Sequence, residues 1–117
     1  MAIVVRLRPL PLGRRRPSRV VELERIFATA VEIVEVFDVA GLAAVMEMGD
    51  VLTVALDSSG PEDLAGAVAV AGHRPVLRPL WRRERNSRGE VDELFDGYGL
   101  LTTGGIERLA DGQLSTA

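Results

Sequence analysis

Hydrophobic and polar positions alternate along residues 2–8, the first periodic segment of the chain. One parity holds Ile3, Val5 and Leu7, and the other holds Val4, Arg6 and Arg8. A period of two is typical of a strand with one buried face, so this segment is predicted to be a half-buried strand. The proline-rich residues 9–17 are predicted to be a loop.

A different pattern covers residues 18–38. Apolar residues recur there at gaps of three or four positions, from Val20 to Phe37. That spacing predicts one helix over 18–38, with Ser18 as its N-cap. A second interpretation ends the helix early and makes residues 31–38 a strand, because glutamate and apolar residues alternate in "EIVEVF". The pattern leaves both interpretations open.

Further elements follow in the middle of the chain. Residues 41–57 are mainly apolar and are predicted to form two short strands around a central turn. Residues 58–72 are predicted to form a second helix, since Ser59 and Glu62 have the spacing of a capping box. Residues 74–85 are predicted to form a strand in an edge or irregular position, because they contain two prolines.

Residues 80–95, "LWRRERNSRGEVDELF", place arginines before a turn sequence and carboxylates after it. The turn sequence "NSRG" predicts a β-hairpin whose two arms neutralise each other. One register pairs Trp81 with Leu94. The other places Gly89 in a bulge and pairs Trp81 with Phe95.

The predicted order is strand, helix, strand, strand, helix, strand. This is the α+β, ferredoxin-like βαββαβ sandwich, an antiparallel sheet with two helices on one face and its first and last strands side by side. Residues 1–117 are predicted to be a single domain, with this core in 1–85, a C-terminal β-hairpin extension in 86–109 and a flexible tail in 110–117. The architecture hosts many unrelated activities and predicts no function by itself.

Composition removes several kinds of site. The 117 residues include no cysteine and one histidine, so disulfides and cysteine nucleophiles are excluded, and no metal site or cofactor is expected. The first residues are interrupted by Arg6 and Arg8, unlike a signal peptide, and the apolar stretch 39–56 contains Glu47 and Asp50, unlike a membrane span. A cytoplasmic protein is expected.

Charge is segregated along the chain. All 14 basic residues are arginine, as a GC-rich genome favours, and six of them fall in residues 1–19, which contain no acidic residue. Arg14, Arg15, Arg16 and Arg19 precede or begin a predicted helix, where backbone N–H groups favour anions. They are the candidate anion-binding residues.

Other candidate residues depend on the predicted fold. Tyr98 lies between two glycines and is the aromatic residue that looks most exposed, so it and His73 are candidates for contact with a ligand or partner. Val4, Arg6, Leu80 and Arg82 are expected on the open face of the sheet, as a candidate interface. No residue is assigned as catalytic.

The sheet predicts an interaction module. If both helices cover one face, the other is too apolar to remain exposed to water, and a second copy or a partner protein is expected to cover it. The expected function is therefore a small, non-enzymatic module that self-associates through its sheet.

Two alternatives stay open. One is an arginine-rich protein that binds anions or nucleic acid, which is weakened by the self-neutralising hairpin and by the lack of stacking aromatics on the sheet face. The other is a small cofactor-free enzyme with a cleft near His73 and Tyr98. An enzymatic role is left open but not favoured.

Overall fold

Strands and helices alternate along the first part of the chain, and antiparallel strands complete it. The computed structural model describes residues 2–8, 18–28, 30–57 and 61–114. The elements are β1 (Ala2–Leu7), α1 (Ser18–Arg25), β2 (Val31–Val36), α2 (Val39–Met48), β3 (Val51–Leu56), α3 (Pro61–Ala71), β4 (Val76–Arg85), β5 (Val91–Thr102) and β6 (Gly105–Arg108). Among these described residues, no helix is long and apolar enough to cross a membrane.

All the strands belong to one six-stranded mixed sheet in the order β2-β1-β3-β4-β5-β6. The first four of these strands are mutually parallel, and β5 and β6 are antiparallel to their neighbours. The protein therefore has an α/β fold, and the predicted ferredoxin-like antiparallel sheet is wrong. β1 lies between β2 and β3 instead of beside β4.

The single long helix predicted for residues 18–38 is also wrong. α1 ends at Arg25, and Val31–Val36 form β2, as the second interpretation proposed. β2 pairs in parallel with the whole of β1, from Ala2 opposite Val31 to Leu7 opposite Val36. This long-range pairing decides between the two periods that the local sequence allows.

The first of the two strands predicted within residues 41–57 is instead part of α2. Asp38 caps this helix, because its carboxylate accepts from the backbone N–H of Gly41 at 2.6 Å. The second predicted strand is confirmed as β3, and the predicted helix after it is confirmed as α3. Because a helix replaces the first of those strands, α2 connects β2 to β3 as a βαβ unit, and the two strands run parallel in the sheet.

Helices cover both faces of the sheet. Leu23 of α1 and Ile26, which directly follows the helix, pack with Val4 and Leu77 on one face. On the other face, α2 and α3 contribute to a second core; it contains Leu42, Ala67 and Ala71 together with Val5, Val54 and Leu56. β1 is therefore buried on both faces and is not the half-buried strand that its alternation predicts.

The predicted hairpin is confirmed as β4 and β5. Trp81 lies opposite Phe95 and Arg83 opposite Glu93, which is the bulged register. Gly89 has a φ of 79°, and its N–H donates to the carbonyl of Asn86 to close the turn. Such a positive φ favours glycine.

β4 and β5 extend beyond the rest of the sheet. In the described part of the chain, β3 pairs with β4 only at Val76 and Leu77, and β6 pairs with β5 only from Gly99 to Thr102. Residues 81–95 therefore form a two-stranded projection, which we call the ribbon. Pro79 lies at its root, beside a register shift in β4, where a missing N–H breaks no ladder with β3.

The chain returns to α1 after β6. Gly112 and Leu114 donate to the carbonyls of Arg25 and Ile26, and Ala28 donates to the carbonyl of Leu114. Residues 110–114, which the sequence assigns to a flexible tail, are thus attached to the end of α1, and residues 115–117 lie outside the described residues.

Candidate functional site

Charged and polar side chains from three strands and from the residue after a fourth strand meet at the carboxyl ends of β1 and β3. We call this group the carboxyl-end cluster; it comprises Arg6, Glu35, Asp57 and Tyr98. Nε of Arg6 donates to Oδ2 of Asp57 at 2.5 Å, and its Nη1 donates to Oε1 of Glu35 at 2.9 Å. The hydroxyl of Tyr98 donates to the same Asp57 oxygen at 2.8 Å. The cluster links β2, β1 and β5 to the residue that directly follows β3.

The central pair of the cluster is removed from water. Arg6 is 5% exposed, and the side chain of Asp57 is 1% exposed. Burial alone lowers the pKa of Arg6, but Asp57, Tyr98 and Glu35 together outweigh this effect, so the pKa of Arg6 lies above its ordinary value. A buried guanidinium of this kind needs its carboxylates, because an isolated buried charge is very costly.

The cluster occupies the part of the fold where open α/β sheets usually bind ligands. The winding direction reverses between β1 and β3, and ligands bind outside the carboxyl ends of strands at such a point. Here the charged groups at that point bond to one another. Arg8 also reaches Glu35, at 3.3 Å, and Arg78 donates to the carbonyl of Leu56 at 2.9 Å. This arrangement neutralises charge and ties strands together.

Tyr98 and His73 do not share a cleft. Tyr98 is 2% exposed and packs on Phe95 with ring centroids 5.1 Å apart, so the expectation of an exposed aromatic is wrong. His73 is exposed in the turn after α3, at the amino end of β4. Tyr98 pairs with Pro79 farther along that strand, and its hydroxyl reaches Asp57 at the carboxyl end of the parallel sheet.

The four candidate interface residues do not form one surface. Val4 and Arg6 are both buried in the centre of the sheet. Val4 lies beneath α1, and Arg6 belongs to the carboxyl-end cluster. Leu80 is half-buried at the root of the ribbon, and Arg82 is exposed on it. The expected open face is missing because α1 covers it.

The candidate anion-binding residues are mostly outside the described part of the chain. Arg14, Arg15 and Arg16 fall in residues 9–17, which lie outside it, as does the side chain of Arg19. The backbone of Arg19 belongs to the first turn of α1. Their role stays a prediction.

The ribbon combines exposed apolar residues with charges of both signs. Trp81 is 48% exposed and Val91 is 54% exposed. Trp81 packs edge-to-face on Phe95, with ring centroids 6.0 Å apart. The ribbon has equal numbers of arginines and carboxylates; they are Arg82, Arg83, Arg85 and Arg88 against Glu84, Glu90, Asp92 and Glu93.

Two ion pairs lie within the ribbon. Arg83 meets Glu93 of the opposite strand at 3.6 Å, and Arg82 meets Glu84 of its own strand at 3.2 Å. The predicted mutual neutralisation of the two arms is therefore seen at Arg83, while Glu84 faces Asp92 and takes its partner from its own arm. Each exposed pair contributes only about 0.2–1 kcal/mol, so such pairs set register more than stability.

A groove of about 420 Å³ lies between α1 and β5, with Phe95 and Gly97 in its wall. Its charged lining residues also pair with carboxylates. Arg108 binds Asp96 at 2.7 Å, and Arg25 binds Glu22 and, at 3.2 Å, Asp111. No unpaired set of converging groups identifies a ligand for this groove.

The sequence patterns did not reveal the carboxyl-end cluster. Glu35 falls on a segment first assigned to a helix, and Asp57 is 51 residues away from Arg6 along the chain. The available signal is positional: Asp57 directly follows a buried strand, and polar residues there lie at the edge where ligands and ion pairs collect.

Among the residues that the structure describes, no three His, Asp or Glu side chains are grouped so that they could hold a metal ion. No known family model, curated protein or solved structure gives a significant match to this chain.

Proposed function

We propose that this protein is a non-enzymatic interaction module that associates with a second copy of itself through the ribbon. The observation that carries the proposal is the exposure of Trp81 and Val91 on a two-stranded projection. A ribbon of two strands is marginal in water by itself, and three or more strands or a packed face stabilise it. Pairing with another copy supplies both.

The rest of the sheet is covered by helices, which leaves the ribbon as the surface available for association. Because helices cover both faces of the parallel strands, the apolar sheet face that the sequence was expected to expose is occupied by α1. Trp81 is well suited to be an anchor, since tryptophan and arginine dominate the energetics of protein interfaces. Near-zero net charge in the ribbon also reduces repulsion between copies.

Trp81→Asp is expected to abolish or strongly weaken self-association, raising the dissociation constant at least about tenfold. Native mass spectrometry and light scattering over a concentration series measure this directly. The matched control is Met48→Asp, which charges another exposed apolar residue at the end of α2, away from the ribbon. A monomeric wild-type protein at every concentration would refute the proposal, as would a larger effect of Met48→Asp than of Trp81→Asp.

Anion binding is a second candidate, favoured by chain connectivity. Residues 9–17, with Arg14, Arg15 and Arg16, join the carboxyl end of β1 to α1, next to the reversal of winding direction. Connections at that point commonly bind phosphate groups in open α/β sheets. This role would leave the ribbon free to associate.

The triple change Arg14→Ala, Arg15→Ala and Arg16→Ala is expected to weaken binding to heparin and to single-stranded DNA. If all three arginines contact phosphates, the slope of log K against log salt for the DNA should fall by about 2. The triple change Arg83→Ala, Arg85→Ala and Arg88→Ala removes the same charge from the ribbon and is the control. Equal losses in both variants, or no binding by the wild type at low salt, would contradict a site at Arg14–Arg16.

A further inference from the structure

The ribbon has two backbone edges, and their charges differ. The charged residues of Trp81–Arg85 in β4 are arginines and a glutamate, whereas the charged residues of Val91–Phe95 in β5 are all acidic. From this difference we infer that two copies join by antiparallel pairing of their β4 edges about a two-fold axis at Arg83. The inference rests on the proposed function and specifies its geometry.

The β4 edge is available for such pairing. No strand of the described residues pairs with Arg82–Arg85 on the side away from β5, because the β3 ladder stops at Leu77. An edge of this kind presents backbone N–H and C=O groups to another chain. Two ribbons joined there form a four-stranded sheet, which is stable where a two-stranded ribbon is marginal.

The β5 edge is unsuitable for pairing with its own copy. Its acidic residues would face acidic residues of the other chain, and like charges across strands are destabilising. In addition, Nη1 of Arg108 donates to the backbone carbonyl of Asp96 at 3.1 Å, while Nη2 of Arg108 binds the carboxylate of Asp96 at 2.7 Å. The guanidinium thus occupies a backbone acceptor at the root of this edge.

Strand geometry restricts the register of two β4 edges. A two-fold axis perpendicular to the sheet keeps each side chain on its own face, so only residues of equal parity can lie opposite one another. The axis must therefore pass midway between the two copies of one residue, which lie opposite each other. An axis at Glu84 would oppose Arg83 with Arg85 and Glu84 with itself, which is unfavourable.

An axis at Arg83 gives the favourable arrangement. It places Arg82 opposite Glu84 of the second copy, twice by symmetry, and Trp81 opposite Arg85 of the second copy, where cation–π contact is available. The two Arg83 side chains become neighbours, but each has the carboxylate of Glu93 within 3.6 Å. Opposite charges therefore meet in this register with the least repulsion.

Disulfide trapping tests the edge and the register, since the protein has no cysteine of its own. Arg83→Cys is expected to form a disulfide-linked dimer under mild oxidation, because the two positions meet at the axis. Arg85→Cys places its thiols about 13 Å apart along the strands, too far for a disulfide. Glu93→Cys tests the β5 edge. Linkage through Glu93→Cys, or through none of these, would overturn the inference.

A charge swap provides the second test. Arg82→Glu is expected to weaken association about tenfold, because it sets two carboxylates opposite each other in each symmetric pair. The double change Arg82→Glu with Glu84→Arg restores the opposite charges and is expected to return the dissociation constant to within about threefold of wild type. Equal weakening by the single and double changes would refute the register.

Different results would refute self-association and the pairing of β4 edges. If the wild-type protein is monomeric, the proposed function itself is refuted. If it assembles and Trp81→Asp disrupts the assembly, but Arg83→Cys does not cross-link, association through the ribbon stands and the pairing of β4 edges is refuted.

Discussion

Arg6→Met is expected to lower the free energy of unfolding by about 3–5 kcal/mol, a large share of the 5–15 kcal/mol of a typical domain. The change keeps most of the side-chain length but removes the guanidinium that neutralises Asp57 and Glu35. Since the Asp57 side chain is 1% exposed, its charge would remain buried without the guanidinium of Arg6. The cost of that buried charge, more than the lost attraction, accounts for the expected size of the effect.

Arg8→Met is the matched control for Arg6→Met. It removes the same group at the same end of β1, but Arg8 lies nearer the surface and its carboxylate partner among the described residues is the partly exposed Glu35. We expect a loss of at most about 1 kcal/mol. Urea unfolding followed by circular dichroism measures both variants. An equal loss of unfolding free energy in both variants would show that burial of the Arg6–Asp57 pair does not increase its contribution to stability.

The double change Arg6→Met with Asp57→Leu separates the charge effect from packing. Removing both partners leaves no uncompensated charge between β1 and β3, so the double variant should be more stable than Arg6→Met alone. Tyr98 loses an acceptor in that variant, so recovery to the full wild-type value is not expected.

The alternation in β1 predicts a strand and its two faces, but not the environment of Arg6. An arginine at every second position is typical of a water-exposed face, and nothing within ten residues of Arg6 is acidic. The carboxylates that allow Arg6 to be buried come from β2 and from the end of β3. Their positions follow from the strand order, which local periodicity does not contain.

Residues 31–48 show how tertiary context overrides local pattern. The glutamates and valines of β2 satisfy a helical stripe and a strand alternation at once, and pairing with β1 decides for the strand. The continuous apolar run of α2 fits a buried strand or a buried helix equally well. Asp38, as an N-cap, was the local signal for the helix. These two errors together changed the predicted fold class.

The hairpin, in contrast, followed from the sequence, and one of its two predicted registers is the observed one, because its determinants are local. The positive φ of Gly89 and the side chain of Asn86, which accepts from the N–H groups of Arg88 and Glu90, fix the turn. Once the turn is fixed, Trp81 must meet Phe95, since hairpin register follows from loop geometry.

Removal of residues 110–117 is expected to lower the free energy of unfolding by about 2–4 kcal/mol. Within the described residues, the deletion eliminates three backbone hydrogen bonds between residues 110–114 and residues 25–28. It also takes Leu114 away from the core cluster that contains Ile26 and Phe27. Hydrogen bonds contribute about 0.5–1.5 kcal/mol each, and partial burial of a leucine contributes a comparable amount.

Removal of residues 115–117 alone is the control, because it leaves Leu114 and its bridge to Phe27 in place. We expect that shorter deletion to have little effect on the urea midpoint. The two deletions differ by residues 110–114, of which Leu114 packs against the core, so Leu114→Ala in the full chain should account for about 1–2 kcal/mol of the difference. If deletion of 110–117 left the midpoint unchanged, the segment would behave as the flexible tail that its composition predicts, and its contacts with α1 would contribute nothing to stability.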